Sequence, residues 1–181
     1  MTSDTVLQTL TGAANMNLKK TPVIIPLLIT VLLSGCQRPT VLACPYATDD
    51  YQPANAGCLI TRGDEVLVVT MKSTGKQSLP GGTSEPGETA RCTAFRETLE
   101  EAGIQVTVHK MLAKFDNGFQ LYRCEPVAEG VSSIDAREIS DVSWRSWLSL
   151  NAQNWRFPKE FKKTRQLIRE QITGISKELE Q

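Results

Sequence analysis

The sequence predicts one domain of the α/β (α+β) class, and three patterns carry this prediction. Residues 66–71 are a run of β-branched and apolar residues, which is typical of a buried strand. Residues 89–102 have a helical pattern with start and stop signals. After Pro158, apolar residues recur at helical spacing up to Leu179. With 181 residues, 40% of them hydrophobic, the chain is long enough to build one core from these elements.

Further strands are predicted on both sides of the first helix. Residues 58–60 pair with residues 66–71 as a hairpin, because Arg62-Gly63-Asp64-Glu65 joins the two runs. Asn117-Gly118 is a strong turn signal between two later strands. The strands predicted after the helix are residues 104–108, 111–115, 119–124 and 142–148.

A stop signal defines the end of the first helix, and the spacing of apolar residues defines the second helix. Gly103 is expected to end the first helix, because glycine readily adopts the left-handed conformation that follows a helix C-terminus. The second helix is amphipathic, and we expect its apolar face to pack on a sheet. Contact of its basic face with a membrane surface is the alternative. The basic residues are Lys162, Lys163, Arg165 and Arg169.

The first 36 residues have the layout of an export signal. Lys19 and Lys20 precede an apolar run, residues 22–33, which contains two prolines and is too short for a membrane-spanning helix. The run ends in Leu33-Ser34-Gly35-Cys36, which resembles a bacterial lipobox. This resemblance implies a signal peptide at residues 1–35 and lipidation of Cys36. The alternative is that the run stays in place as an anchor or a buried core segment.

Two details refine this prediction. Met16 begins a more ordinary signal, Met-Asn-Leu-Lys-Lys, and is an alternative start of translation. Gln37 follows the cysteine, where the lipoprotein pattern would carry Asp for retention in the inner membrane. The resemblance therefore implies an outer-membrane lipoprotein that faces the periplasm. Residues 36–55 are predicted to be the lipidated cysteine and a proline-containing tether, and residues 56–181 the domain.

Four cysteines follow the predicted lipidation site: Cys44, Cys58, Cys92 and Cys124. An even number in an oxidising compartment permits two disulfides, with three possible connectivities that the sequence does not distinguish. The alternative for each is a small buried apolar residue. A structural zinc site is not expected, because no Cys-x-x-Cys pair occurs and the chain has a single histidine.

The charge balance favours a small-molecule substrate. The 20 Lys and Arg residues match 20 Asp and Glu residues, and no basic block occurs. The chain therefore lacks the electrostatic footprint with which a protein coats DNA or RNA. We expect no nucleic-acid polymer as a partner, and the oligomeric state stays open.

Three glutamates of the first helix are predicted to share one face. At helical spacing, Glu97, Glu100 and Glu101 fall within about 100° of one another. Like charges at this spacing repel each other, so a cation would stabilise the group. Carboxylate oxygens suit Mg2+ or Mn2+, ions that keep several waters and bridge to substrate phosphates.

The loop before the helix is predicted to belong to the same site. Gly81 and Gly82 allow a tight turn with an exposed carbonyl, which adds an oxygen ligand. Arg96 lies eight residues after Glu88, so it is expected to pair with Glu88 and fix the loop to the helix.

Residues 82–104 resemble the Nudix signature, Gly-x5-Glu-x7-Arg-Glu-U-x-Glu-Glu-x-Gly-U, where U is apolar. Eight of its nine defined positions match, and the exception is Thr98 at the first apolar position. Chance agreement of the fixed residues is on the order of 10^-8 per starting position. Because threonine can still bury its methyl group, we expect slightly poorer packing and an intact metal site.

The resemblance implies a mixed β-sheet sandwiched between α-helices and a Mg2+ (or Mn2+) dependent pyrophosphohydrolase. The metal ligands would be Gly82, through its carbonyl, and Glu97, Glu100 and Glu101. The implied substrate is a nucleoside diphosphate linked to another moiety, or a related diphosphate, attacked by water at phosphorus. Glu88 and Gly103 would be structural, and the catalytic residues would be Glu97, Glu100, Glu101 and Arg96.

The identity of the general base stays open between a box glutamate and a later acidic residue. Glu138 is the candidate outside the box, and its alternative is a solvated loop carboxylate. Four aromatic residues are candidates for stacking on a nucleobase, although packing is the more common role. They are Trp144, Trp147, Trp155 and Phe157.

A non-catalytic module of the same fold that binds metal and nucleotide is the alternative function. An isomerase that carries the box and a structural lipoprotein are further readings. Predicted export makes nucleotide sugars, dinucleotides and diphosphate-linked lipid carriers all possible substrates.

Overall fold

The computed structural model describes residues 43–47, 53–131 and 134–179. The predicted signal peptide and Cys36 lie outside these residues. Within the described residues, the order of elements is mixed α+β, with eight strands and two helices. The strands are β1 (Ala56–Leu59), β2 (Thr61–Arg62), β3 (Glu65–Met71), β4 (Gln77–Ser78), β5 (Gly81–Gly82), β6 (Ile104–Lys114), β7 (Gln120–Val131) and β8 (Ile139–Ser146). The helices are α1 (Ala90–Ala102) and α2 (Phe161–Leu179).

The strands form two sheets. The first has the order β5-β1-β7-β6, in which β1 and β7 are parallel and the other pairs antiparallel. The second is centred on β3, which pairs with β2, β4 and β8. The β2–β3 pair confirms the predicted turn, because Thr61 pairs with Val66 and Arg62 with Glu65. The predicted first strand of the hairpin is wrong at residues 58–59, which belong to β1 and pair with β7 in the first sheet.

The two helices cover opposite faces of strand β3. Leu67, Val69 and Met71 belong to the cluster of buried residues that includes the apolar residues of α1. Val66 and Val68 belong to a second cluster, which includes Ile168 and Ile172 of α2. Successive side chains of a strand point to opposite faces, so both faces of β3 are buried. The predicted sheet between helices is confirmed.

Strand β6 differs from its prediction. Residues 104–108 and 111–115 were expected to be two strands, but Ile104–Lys114 is one strand paired along its length with β7. The pairing register shifts between Val108 and Met111 and again between Met111 and Ala113. These shifts allow one strand to continue across the point where the alternation of apolar residues is interrupted. A bulge of this kind depends on the partner strand, which the local sequence does not specify.

The predicted turn at Asn117-Gly118 is confirmed. Gly118 has φ +85°, a left-handed conformation that glycine adopts without steric cost, and its N–H donates to Phe115. Asn117 supports the turn by accepting the N–H of Phe119 at 3.1 Å. The chain thereby passes directly from β6 into β7.

Helix α2 packs as expected. Ile168 and Ile172 are buried, whereas Lys162, Lys163 and Arg169 are exposed. Within the described part of the chain, no helix is long and apolar enough to cross a membrane.

The four cysteines form two disulfides in the structure, Cys44–Cys92 and Cys58–Cys124. This is one of the three connectivities that the sequence left open. Residues 43–47 lie within the segment predicted as a tether, yet they contact the domain. Tyr46 accepts the N–H of Val108 at 2.7 Å through its hydroxyl and the hydroxyl hydrogen of Thr89 through its carbonyl. Residues 44–47 are therefore attached to the domain.

Candidate metal-dependent active site

Helix α1 positions the candidate site residues, and both of its ends are capped. Thr89 begins the helix, and its hydroxyl accepts the N–H of Cys92 at 3.2 Å. Gly103 ends it with φ +68°, and its N–H donates to the carbonyl of Leu99. The predicted start and stop of the helix are both confirmed.

Thr98, the exception to the signature, is fully buried. Its hydroxyl donates to the carbonyl of Ala94 at 2.7 Å, one turn earlier in the helix. This hydrogen bond satisfies the buried hydroxyl group of Thr98, so the helix accommodates threonine at a position where the signature has an apolar residue.

Arg96 joins the loop to the helix. Its Nε and Nη2 donate to the two carboxylate oxygens of Glu88, each at 2.9 Å, and Nη2 also donates to the carbonyl of Thr83 at 2.8 Å. The predicted pair of Arg96 and Glu88 is confirmed. Although burial opposes ionisation, the hydrogen bonds from Arg96 hold the pKa of Glu88 below its ordinary value. Arg96 and Glu88 thus brace the loop as an ion pair.

The same arginine contacts two of the three glutamates on the helix face. Nη1 of Arg96 lies 3.0 Å from Glu97 Oε1 and 3.0 Å from Glu100 Oε2. Burial raises the pKa of Glu97, against the opposing charge of Arg96. Glu100 is more open to solvent, with its side chain 53% exposed.

Glu101 is the most buried of the three, at 5% exposure. Its Oε2 accepts the N–H of Gly81 at 2.7 Å, which ties the carboxylate to the glycine turn. Burial raises the pKa of the Glu101 carboxyl to about 7, and the neighbouring charge of Glu97 adds to this effect. A buried carboxylate of this kind is stabilised by a nearby cation.

Gly82 lies directly against the Glu97 carboxylate. A Cβ at position 82 would lie 2.5 Å from each of the Glu97 oxygens, a distance that real side chains do not tolerate. Only glycine permits this approach of backbone to carboxylate. The glycine turn and the helix therefore meet at the Glu97 carboxylate.

The three carboxylates do not all converge on one point. Arg96 lies between Glu97 and Glu100, whereas Glu101 is directed to Gly81. No group of three or more His, Cys, Asp or Glu side chains is close enough to hold a metal ion in the described part of the chain. The residues present still fit a hard divalent ion, because they offer carboxylate oxygens beside a glycine whose backbone approaches Glu97 too closely for a side chain. Their roles as metal ligands stay a prediction.

Glu138 lies near the C-terminal end of α1. Its loop is bound to the helix, because the N–H of Asp135 donates to the carbonyl of Glu100 at 2.7 Å. Glu138 is exposed, and its charge contributes to the raised pKa of Glu101. The structure therefore brings the candidate from outside the box towards the box glutamates.

A cleft with a volume of about 200 Å³ opens beside the glycine turn. Trp155, which is buried, and Phe157, which is 46% exposed, line it together with Gly81 and Gly82. Pockets for drug-sized ligands enclose roughly 300–1,000 Å³, so this cleft is smaller than a pocket that encloses a whole large ligand.

The other two aromatic candidates do not line this cleft. The guanidinium of Arg62 covers the ring of Trp144 at 4.3 Å, and that of Arg165 lies 5.2 Å from the ring centre of Trp147. Both rings also pack against buried clusters. For these two residues the packing interpretation holds.

The sequence interpretation missed Arg156, which lines the cleft between the two aromatic residues. The only local sequence signal for a role of Arg156 in the cleft was its position between Trp155 and Phe157. Its position depends on the pairing of its loop with β4, where Gln77 donates to Asn154 and accepts from Arg156, each at 2.7 Å. This contact joins residues that lie far apart in the chain.

The comparisons with known proteins agree with the signature and the fold. The NUDIX domain family matches residues 51–169, well over half of the chain, and the chain belongs to this family.

Two curated relatives are both described as NAD-capped RNA hydrolase NudC. The one from Erwinia tasmaniensis is 29% identical over 56% of this chain and 42% of its own length. The one from Pseudomonas putida is 34% identical over 48% of this chain and 33% of its own length. The chain thus spans less than half of the relatives that it matches.

Solved structures show the same fold. A UDP-X diphosphatase is similar with a TM-score of 0.58 and 19% identity, covering 71% of this chain and 66% of its own. An ADP-ribose pyrophosphatase from Streptococcus suis is similar with a TM-score of 0.55 and 20% identity, covering 65% of this chain and 90% of its own.

Proposed function

We propose that the protein is a Mg2+ (or Mn2+) dependent pyrophosphohydrolase that cleaves a nucleoside diphosphate linked to another moiety. The observation that carries this proposal is the contact of the glycine turn with two glutamates, the half-buried Glu97 and the buried Glu101, beside a cleft. The buried carboxylate of Glu101 is costly in its charged form unless a cation is bound nearby during function.

The carbonyl of Gly82 and the carboxylates of Glu97, Glu100 and Glu101 would hold the metal. A bound divalent ion neutralises diphosphate charge and promotes ionisation of water. Arg96 orients Glu97 and Glu100 by hydrogen bonds at 3.0 Å. The N–H of Gly81 fixes the carboxylate of Glu101 in the same way.

A carboxylate has to accept the proton of the attacking water. Glu138 is a candidate because it is exposed and lies within electrostatic range of Glu101. A box glutamate is the other candidate. In either case the attack at phosphorus yields two phosphate-bearing products.

The cleft supports a substrate with one flat ring near the diphosphate. Phe157 offers exposed aromatic surface there, and such surface binds nucleobases without a sequence code. The named relatives and neighbours act on nucleotide-linked diphosphates by their descriptions, NAD-capped RNA, UDP-X and ADP-ribose. Their range of substrates favours the general class rather than one member.

The function is tested by a panel assay with purified protein and Mg2+. We expect release of monophosphate from at least one of ADP-ribose, NAD, nucleotide sugars, nucleoside triphosphates or isoprenyl diphosphates, and loss of that release in excess EDTA. Binding of a panel compound without any turnover would instead favour the non-catalytic module.

We also propose that the chain is exported and anchored through a lipid at Cys36, on the outer membrane facing the periplasm. The two disulfides support an oxidising compartment. Expressed from its own start in a Gram-negative host, the wild-type protein is expected in the membrane fraction with a lipid-sized mass increase on residue 36. The Cys36→Ser variant should lack this mass. An unmodified, unprocessed wild-type chain would contradict the anchor.

A further inference from the structure

Arg156 is a cation held at the cleft by its backbone and its side chain. Its N–H donates to the carbonyl of Gln77 at 2.7 Å, so the loop is fixed against β4. Its guanidinium lies 5.1 Å from the ring centre of Phe157, and Nη1 lies 3.4 Å from Met71 Sδ. Neither contact neutralises its charge.

Among the described residues, no carboxylate forms an ion pair with Arg156. Glu160, which also lines the cleft, makes none with it. Arg96, by contrast, is paired with three glutamates. Arg156 lines the same cleft as Gly81 and Gly82 of the glycine turn. Its charge is therefore left free for a ligand in this cleft.

We propose that Arg156 binds a non-bridging phosphate oxygen of the substrate in the cleft that Gly81 and Gly82 also line. This inference rests on the proposed function, because it assumes a diphosphate at the site. The planar guanidinium suits a phosphate, which accepts two parallel hydrogen bonds from it. A ring against Phe157 would then be linked to a diphosphate in the cleft that Arg156 and Gly82 line.

Binding of imidodiphosphate, a diphosphate analogue with nitrogen at the bridging position, tests this role without a ring and without turnover. At saturating Mg2+, calorimetry is expected to show binding to the wild-type protein and about tenfold or more weaker binding to Arg156→Gln. Arg156→Lys should be intermediate, because it keeps the charge and loses the fork. Arg169→Gln, an exposed arginine on α2, is the matched control and should bind as the wild type does.

The metal alone provides a second readout. If Arg156 only offsets the charge of Glu101, Arg156→Gln would bind Mg2+ more tightly and imidodiphosphate as well as the wild type. That result, or the absence of imidodiphosphate binding to the wild type, overturns the inference. If no panel compound is hydrolysed while imidodiphosphate binding depends on Arg156, the proposed function fails and the phosphate site stands.

Discussion

Glu101→Gln is expected to reduce hydrolysis of the best panel substrate by at least roughly a hundredfold at saturating Mg2+, comparable to losses on removing one charge-stabilising group. Glutamine has the same shape and still accepts the Gly81 N–H, so the glycine turn stays in place. What is lost is the negative charge at a site where the carboxylate is buried. The loss should appear in kcat, measured by monophosphate release.

Stability separates this effect from a folding defect. In EDTA, Glu101→Gln should unfold in urea at a midpoint equal to or above that of the wild type, because an amide avoids the cost of a buried charge. Glu170→Gln, an exposed glutamate on α2, is the matched control and should change neither quantity. Wild-type turnover in Glu101→Gln would remove Glu101 from the active site.

Replacing both Cys58 and Cys124 by alanine is expected to lower the free energy of unfolding by about 4 kcal/mol. The reason is that the disulfide closes a long loop and so lowers the conformational entropy of the unfolded chain. The two cysteines are 66 residues apart in sequence. Both are buried, and they join β1 to β7 within the cluster that underlies α1. Urea unfolding of the oxidised wild type and the double variant measures the difference.

The pair Cys44–Cys92 provides the matched comparison. It closes a loop with a sequence separation of 48, so loop length alone predicts nearly the same effect. Its loss, however, can release residues 43–47 without unfolding the sheets, and the cost is then limited to the contacts of that segment. We expect an effect of about 1–2 kcal/mol for Cys44→Ala with Cys92→Ala. Equal losses in the two double variants would contradict this distinction.

The elements predicted correctly are those with signals in neighbouring residues. Thr89 and Gly103 bound α1 because a cap satisfies backbone groups within one turn of the helix. Asn117-Gly118 formed its turn because the left-handed conformation is a property of the residue itself. Strand β6 was divided in the prediction, since its bulges depend on pairing with β7.

The features of the site likewise divide into those that the local sequence predicted and those that it did not. The pair of Arg96 with Glu88 and the approach of Gly82 to Glu97 follow from the spacing within one loop and helix. The sequence did not indicate that Arg96 would lie between Glu97 and Glu100. Helical spacing gives the direction in which each side chain leaves the helix, but it does not give how far a long side chain reaches.

The sequence alone determined the class of domain, the helix that carries the glutamates and the glycine turn beside them, because these depend on residues close together in the chain. Only the tertiary structure decided the disulfide pairing, the aromatic residues that line the cleft and the place of Arg156. Each of these depends on contacts between segments that are distant in sequence. Such contacts form when the sheets pack against the helices and when Gln77 of β4 pairs with Trp155 in the loop that precedes α2.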